Sequence, residues 1–168
     1  MRAIVCMDDR CGIGYKNKLP WRCRLDIQYF RNMTIGNGNN AVVMGRRTFD
    51  SMNHRALQKR RNYVMTRDAS ISSIFSDDVI MESQLENILL LPFIFEQVYV
   101  IGGSQIYKLF EPHLETIYVT HLEGRFHCDE FFPIDLNKYT KEVINETFDE
   151  VGRKVTFCVY HKGNPGSP

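Results

Sequence analysis

The sequence predicts an α/β protein of one domain: a mixed sheet, parallel over most of its strands and antiparallel at its C-terminal end, with flanking helices. Three observations carry this. Short continuous apolar runs alternate with stretches of helical periodicity, the order expected of crossover connections between parallel strands. Several of these runs end on a glycine or a hydroxyl residue followed by a basic group. The tail changes style, to two runs of alternating polarity joined by a short turn, the pattern of a hairpin.

Each element has its own signal. Residues 2–7 are apolar and lead into Asp8, Asp9, Arg10 and two glycines, which reads as a buried strand entering a loop that runs from Gly12 to Trp21. Leu25, Tyr29 and Met33 recur at helical spacing with Phe30 widening the stripe, so 22–34 is a helix that Gly36 to Gly38 stops. Residues 41–44 read as a strand, 46–52 as a short helix after Gly45, and 62–65 as a strand ending in Thr66 and Arg67. A second round places a strand at 79–80, a helix over 82–90, a strand at 97–101, and a helix opened by Gly102, Gly103 and Ser104 that runs to Phe110. Residues 115–120 form another strand, and 141–147 with 155–160 form the hairpin.

Composition narrows the function. At 168 residues a folded chain buries roughly 70% of the surface that its unfolded form exposes, so a core without staples is expected. We expect one domain over 1–162 and a tail at 163–168. With 43% apolar and 12% aromatic residues, disorder is excluded as the main state. The 21 Lys+Arg against 20 Asp+Glu argue against a protein that neutralises a long polyanion, so no nucleic-acid partner is expected, while small anions remain suitable ligands. Five cysteines without a C-x-x-C pair indicate neither a disulfide framework nor a zinc ribbon, and fit a reducing compartment. The longest apolar stretch, 88–95, is interrupted by Pro92 and is too short to span a bilayer, so a soluble, cytoplasmic protein is expected.

Three junctions share one design. Met44 into Gly45, Arg46, Arg47 and Thr48, Met65 into Thr66 and Arg67, and Ile101 into Gly102, Gly103 and Ser104 each set a strand end beside a glycine, a hydroxyl or a basic group. Ligands of open α/β sheets sit outside the carboxyl ends of strands, where helix amino ends offer unpaired N–H groups to anions. Arginines there can add bidentate bonds to phosphate. Each junction alone reads equally as a turn glycine, an N-cap at Ser104 and solvated arginines; three together point to an anion site. The usual G-x-G-x-x-G fingerprint is missing.

Asp26 stands out because Phe30 and Met33, four and seven positions on, share its face. It is either an acid in a first helical turn, favoured by the macrodipole, or a carboxylate in an apolar cleft with a raised pKa, suited to a nitrogen-rich ring. Spacing leaves both open. The five histidines form no metal-binding pair, so no metal is expected, and the absence of G-x-S-x-G removes acyl transfer.

Taken in order, Gly12-Ile13-Gly14, Asn17 to Trp21, Asp26 with Tyr29 and Phe30, Val42 to Thr48, Val100 to Gly103, Tyr118 to His121 and Asp129 to Pro133 resemble dihydrofolate reductases across almost the whole chain. The resemblance implies an eight-stranded, mostly parallel sheet, NADPH as hydride donor and reduction of 7,8-dihydrofolate to tetrahydrofolate, in support of one-carbon metabolism and thymidylate synthesis, by a monomeric antifolate target. It implies that Asp26 is the acidic active-site residue, with Trp21 at the loop's end and Thr120 supporting the carboxylate. Ile4, Cys6, Ile27, Phe30, Met52, Leu57 and Ile101 would line the substrate site, and Arg60 would hold the glutamate α-carboxylate. Ile13, Gly14, Gly45, Arg46, Arg47, Thr48, Thr66, Arg67, Gly102, Gly103, Ser104 and Gln105 would bind the cofactor, with Arg67 placed for a ribose 2′-phosphate. The segment Arg55 to Arg60 lacks the prolines and glycine usual before the glutamate-binding arginine, which leaves Arg61 as a rival. Two other readings are a reductase of a riboflavin-pathway aminopyrimidine and a nucleotide-binding module without turnover.

Overall fold

Strands covered on both faces need apolar side chains at nearly every position, and the continuous runs supply them. In the computed structural model, which describes residues 1–68, 70 and 77–163, these runs become β1 (Arg2–Met7), β3 (Asn40–Gly45), β4 (Arg61–Met65), β6 (Gln97–Val100) and β7 (Thr116–Leu122). With β5 (Val79–Glu82), β9 (Tyr139–Phe148) and β10 (Lys154–Lys162) they form one eight-stranded sheet, in the order β5-β4-β3-β6-β1-β7-β10-β9. All neighbours from β5 to β7 are parallel; β10 runs antiparallel to both β7 and β9.

Successive residues of β1 feed opposite faces. Ala3, Val5 and Met7 join the core under α3 (Leu85–Leu89) and α4 (Ser104–Phe110), with Ile88, Tyr107 and Phe110. Ile4 packs on the other side with Val42, Met44, Val64 and Tyr99, against Tyr29, Phe30 and Met33 of α1 (Arg24–Ile35) and Phe49 of α2 (Arg46–Ser51). A third cluster gathers Cys6, Trp21, Cys23, Leu122, Val155 and Phe157 where the Gly-rich loop meets the antiparallel end.

Several boundaries differ from the sequence expectation. Helix α1 begins at Arg24, not at residue 22, because Cys23 is extended (φ −133°) and its side chain is drawn into the third cluster. The helix expected over 82–90 shortens to α3, because Glu82 finishes β5. Its carboxylate accepts the N–H groups of Ser83 and Gln84 at 2.9 and 3.0 Å and the Asn87 amide at 2.9 Å, which starts the helix after it. Strand β7 runs two residues further than expected, to Leu122, and both hairpin strands are longer.

The stretch from Gly12 to Trp21 is not all loop. Gly12–Gly14 is a short strand, β2, paired antiparallel with β8 (Glu130–Phe131) as a separate two-stranded sheet. Asp8, buried between them, accepts N–H groups from Gly12, Arg10 and Phe126 at 2.8–2.9 Å. A Cβ on Gly12 would collide with Cys128, so the close approach requires glycine. Of the expected tail, residues 164–168 lie outside the described residues.

Candidate active site

The carboxyl ends of β1, β3, β4 and β6 open into one cleft of about 1470 Å³. The half beneath α1 is built from side chains. Ile4 and Cys6 reach it from β1, Ile101 from the end of β6, and Asp26, Ile27 and Phe30 from successive turns of α1. Burial pushes the Asp26 carboxyl above the ordinary aspartate pKa, and the neighbouring Thr120 hydroxyl and Cys6 thiol draw it part of the way back. Burial next to that carboxylate also drives the Cys6 thiol well up, so it stays protonated.

Two donors stand behind this carboxyl group. Thr120 is 1% exposed and Trp21 8%. The Thr120 hydroxyl and the Trp21 indole N–H have no hydrogen-bond partner among the described residues, although Thr120 lies close enough to Asp26 to influence its titration.

Met52, Leu57 and Arg60 do not line this cleft volume. Met52 and Leu57 pack half-buried against the cluster beneath Phe30 and Met33. Arg60 donates from Nη1 to Thr34 Oγ1 at 3.0 Å and from Nε to the Gln58 carbonyl at 2.9 Å. Thr34 is eight residues beyond Asp26 on α1, so Arg60 sits roughly 12 Å along the helix from that carboxylate. Burial, with Arg31 nearby, lowers its pKa, while Arg61 is exposed at the start of β4.

The other half is built mostly from backbone. Gly45 donates its N–H to the Gly102 carbonyl at 2.8 Å, and a Cβ on Gly45 would strike Ile106 at 2.8 Å. Arg46, Arg47 and Thr48 follow in the first turn of α2, with Arg46 bonded to Asp50 at 2.9 Å. Thr66 and Arg67 follow β4, and Gly102 (φ +117°) joins Gly103 through a cis peptide. Ser104 and Gln105 line the same wall, opposite Ile13 and Gly14.

Ser104 is not the N-cap that the sequence suggested. It is the first residue of α4, Gly103 occupies the cap, and no side chain caps the helix there. Four further residues here were not singled out in the sequence. Tyr107, on α4, donates its hydroxyl to the Ile4 carbonyl at 2.8 Å; Lys16 and Lys18 line the mouth; Glu130 accepts the Ser104 N–H at 2.7 Å. Only the i+3 spacing from Ser104 could have pointed to Tyr107.

Bare backbone at Gly45 and Gly103, hydroxyls at Thr48, Thr66 and Ser104, and guanidinium groups at 46, 47 and 67 fit a phosphorylated dinucleotide. A family model described as dihydrofolate reductase matches residues 1–162. The chain belongs to the dihydrofolate reductase family. As a member it is an NADPH-dependent oxidoreductase, and its reaction is the family's reduction of 7,8-dihydrofolate to 5,6,7,8-tetrahydrofolate. A dihydrofolate reductase from Staphylococcus haemolyticus is 40% identical over 131 residues, 78% of this chain and 75% of that protein. A bifunctional dihydrofolate reductase-thymidylate synthase from Daucus carota is 33% identical over 171 residues, and the chain spans 32% of its length. Among solved structures, dihydrofolate reductase from Enterococcus faecalis complexed with NADP(H) and RAB-propyl superposes with a TM-score of 0.85 at 31% identity, covering 97% of this chain and 96% of that one.

Proposed function

We propose that Asp26 is the residue on which the reduction turns. One observation carries this: its half-buried carboxyl is the acid of the substrate half, walled by Ile4, Cys6 and Phe30 with Thr120 beside it, and held above the ordinary aspartate pKa. A carboxylate partly shielded from water binds an amino group and ring nitrogen side by side with reduced competition from solvent. Phe30 covers one face of the ring and the Ile101 end of β6 flanks its edge. Thr120, beside the carboxyl, favours its charged form.

NADPH supplies the hydride when bound. The chain's own task is then to direct a proton to the ring nitrogen beside the carbon that is reduced, by holding negative charge at Asp26 and by letting the Gly12–Trp21 segment govern the access of water. Trp21 closes the inner end of that segment through its contact with Phe126, ring centroids 5.1 Å apart. Arg60 is the ligand for the glutamate α-carboxylate, with Ile27, Met52 and Leu57 along the benzoyl group. On the other wall, Gly45, Gly102, Gly103, Ser104 and Gln105 hold the pyrophosphate region with Arg46, Arg47 and Thr48. Thr66 and Arg67 hold the adenosine phosphate, and Ile13 and Gly14 lie by the nicotinamide.

We further infer that one domain over 1–162 works as a cytoplasmic monomer without nucleic acid, and that antifolates compete for the substrate half. The balanced charge supports the absence of a nucleic-acid partner. Among the described residues no helix is long and apolar enough to cross a membrane. The test is loss of absorbance at the nicotinamide band with NADPH, with and without dihydrofolate, for the wild-type chain and Asp26→Asn. Folate-dependent oxidation that the variant loses supports the assignment; equal rates in the two proteins overturn the role of Asp26.

A further inference from the structure

The Glu130 carboxylate, on the cofactor wall, has no part in the mechanism above. Glu130 opens β8, and its Oε1 accepts the Ser104 N–H at 2.7 Å. A Cβ on Gly103 would run into the same carboxylate, and one on Gly14 would meet its Oε2 at 3.4 Å. One carboxylate therefore bridges the gap between Gly14 of β2 and the turn that leads into α4. The register of the small sheet, which pairs Gly14 with Glu130, holds it there.

Its surroundings make this position unexpected. Lys16, Lys18, Arg46, Arg47 and Arg67 give this wall a cationic lining, as an anionic ligand requires. The neighbouring acid, Asp129, is turned to the loop, where it accepts the Lys16 N–H at 3.1 Å. Glu130 instead places a negative charge on a backbone donor that an approaching phosphate oxygen would also seek. A carboxylate and a phosphate oxygen make the same charge-assisted bond to an N–H, so only one of them holds it at a time.

We propose that Glu130 sets the affinity for the dinucleotide by competing with its pyrophosphate for the Ser104 N–H. This rests on the reading that the Gly102–Gln105 wall takes the phosphates. Binding then displaces the carboxylate or proceeds beside a like charge, which weakens the complex and speeds departure of the spent cofactor. Glutamine at 130 keeps a carbonyl oxygen for the Ser104 N–H but has no charge to oppose the phosphates.

The experiment measures NADPH binding by quenching of Trp21, the single tryptophan of the chain, in wild type, Glu130→Gln, Glu130→Ala and Arg67→Ala. Removing one charge a few ångströms from a pyrophosphate in a solvated cleft is expected to tighten Kd about three- to tenfold at low ionic strength in both Glu130 variants. High salt should shrink the gain to below about twofold. Dihydrofolate affinity, read in the same samples, should stay at the wild-type value and verifies folding. Reduced nicotinamide riboside, which lacks phosphate, should bind all four proteins alike. Unchanged or weaker NADPH binding in both Glu130 variants, with Arg67→Ala still losing affinity, overturns the proposal and keeps the cofactor reading. NADPH binding that neither Arg67→Ala nor the Glu130 variants alter overturns both.

Discussion

The two halves of the cleft are built by different means. Beneath α1 the wall is made of side chains, with Asp26 set among Ile4, Cys6, Ile27 and Phe30. Across from it, the turns after β3, β4 and β6 present backbone alongside several cationic side chains. A site made of side chains concentrates its function in single residues. A site made of backbone spreads function over geometry that many sequences can adopt, and Ser104 leading α4 without a side-chain cap is one instance.

The contrast can be tested from its strongest consequence downward. Asp26→Asn should lower turnover by about two to four orders of magnitude at neutral pH, the range for losing a positioned acid–base group, while Kd for NADPH moves less than about twofold. Comparable losses in both would erase the distinction between the halves. Arg67→Ala should weaken NADPH by about 10- to 100-fold and leave NADH nearly unchanged, as expected for loss of a charge-assisted phosphate contact. Paired steady-state kinetics with the two cofactors check this, and an undiminished preference for NADPH would move the 2′-phosphate elsewhere. Arg60→Gln should raise KM for dihydrofolate about tenfold and Arg61→Gln less than twofold, because only Arg60 turns inward to Thr34. The reverse order would hand the role to Arg61.

The smallest effect concerns stability. The Asp26 carboxyl has a higher pKa folded than the ordinary 3.8, so the folded chain binds its proton more tightly than the unfolded chain does. Stability from this group is therefore greatest at acid pH and falls as pH rises through the folded value. Asp26→Asn escapes that loss. Its Tm should exceed that of wild type by a few degrees at pH 7, with the gap closing towards pH 4 in calorimetry. A variant less stable than wild type at pH 7 would mean that the carboxylate is stabilised in the free protein.

How much of this the sequence revealed follows the same division. The inner strands were legible because apolar runs of four to six residues report burial on both faces, and α1 because its stripe repeats at 3.6 residues. The pairing of β2 with β8 was not, since strands of three and two residues, one of them mostly glycine, have no periodicity to read. Asp26 could be singled out by its face of the helix, yet its surroundings come from Cys6 on β1 and Thr120 on β7, which only folding brings together. The inward turn of Arg60 depends on Thr34, 26 residues earlier, and the position of Glu130 on a register set across more than a hundred residues. The hairpin was legible in its alternating polarity but its full length was not, because β9 is exposed along nearly its whole length and its ends carry no burial signal.

That exposed strand has a consequence outside catalysis. An open edge of ten residues offers unpaired amides on which further strands could add, and Val143, Ile144 and Phe148 on it are all more than half exposed. The register shift opposite Phe157 and Cys158 inserts Ile144 as an extra residue, which bends the strand and spoils the even spacing that a stacking neighbour would need. Lys141, Glu142 and Glu146 would have to shed water for a second chain to dock, and Glu146 and Glu142 already hold Lys154 and His161 of β10 at 3.2 and 3.7 Å. The sheet thus ends in a margin whose bend and charges oppose the docking of a further strand.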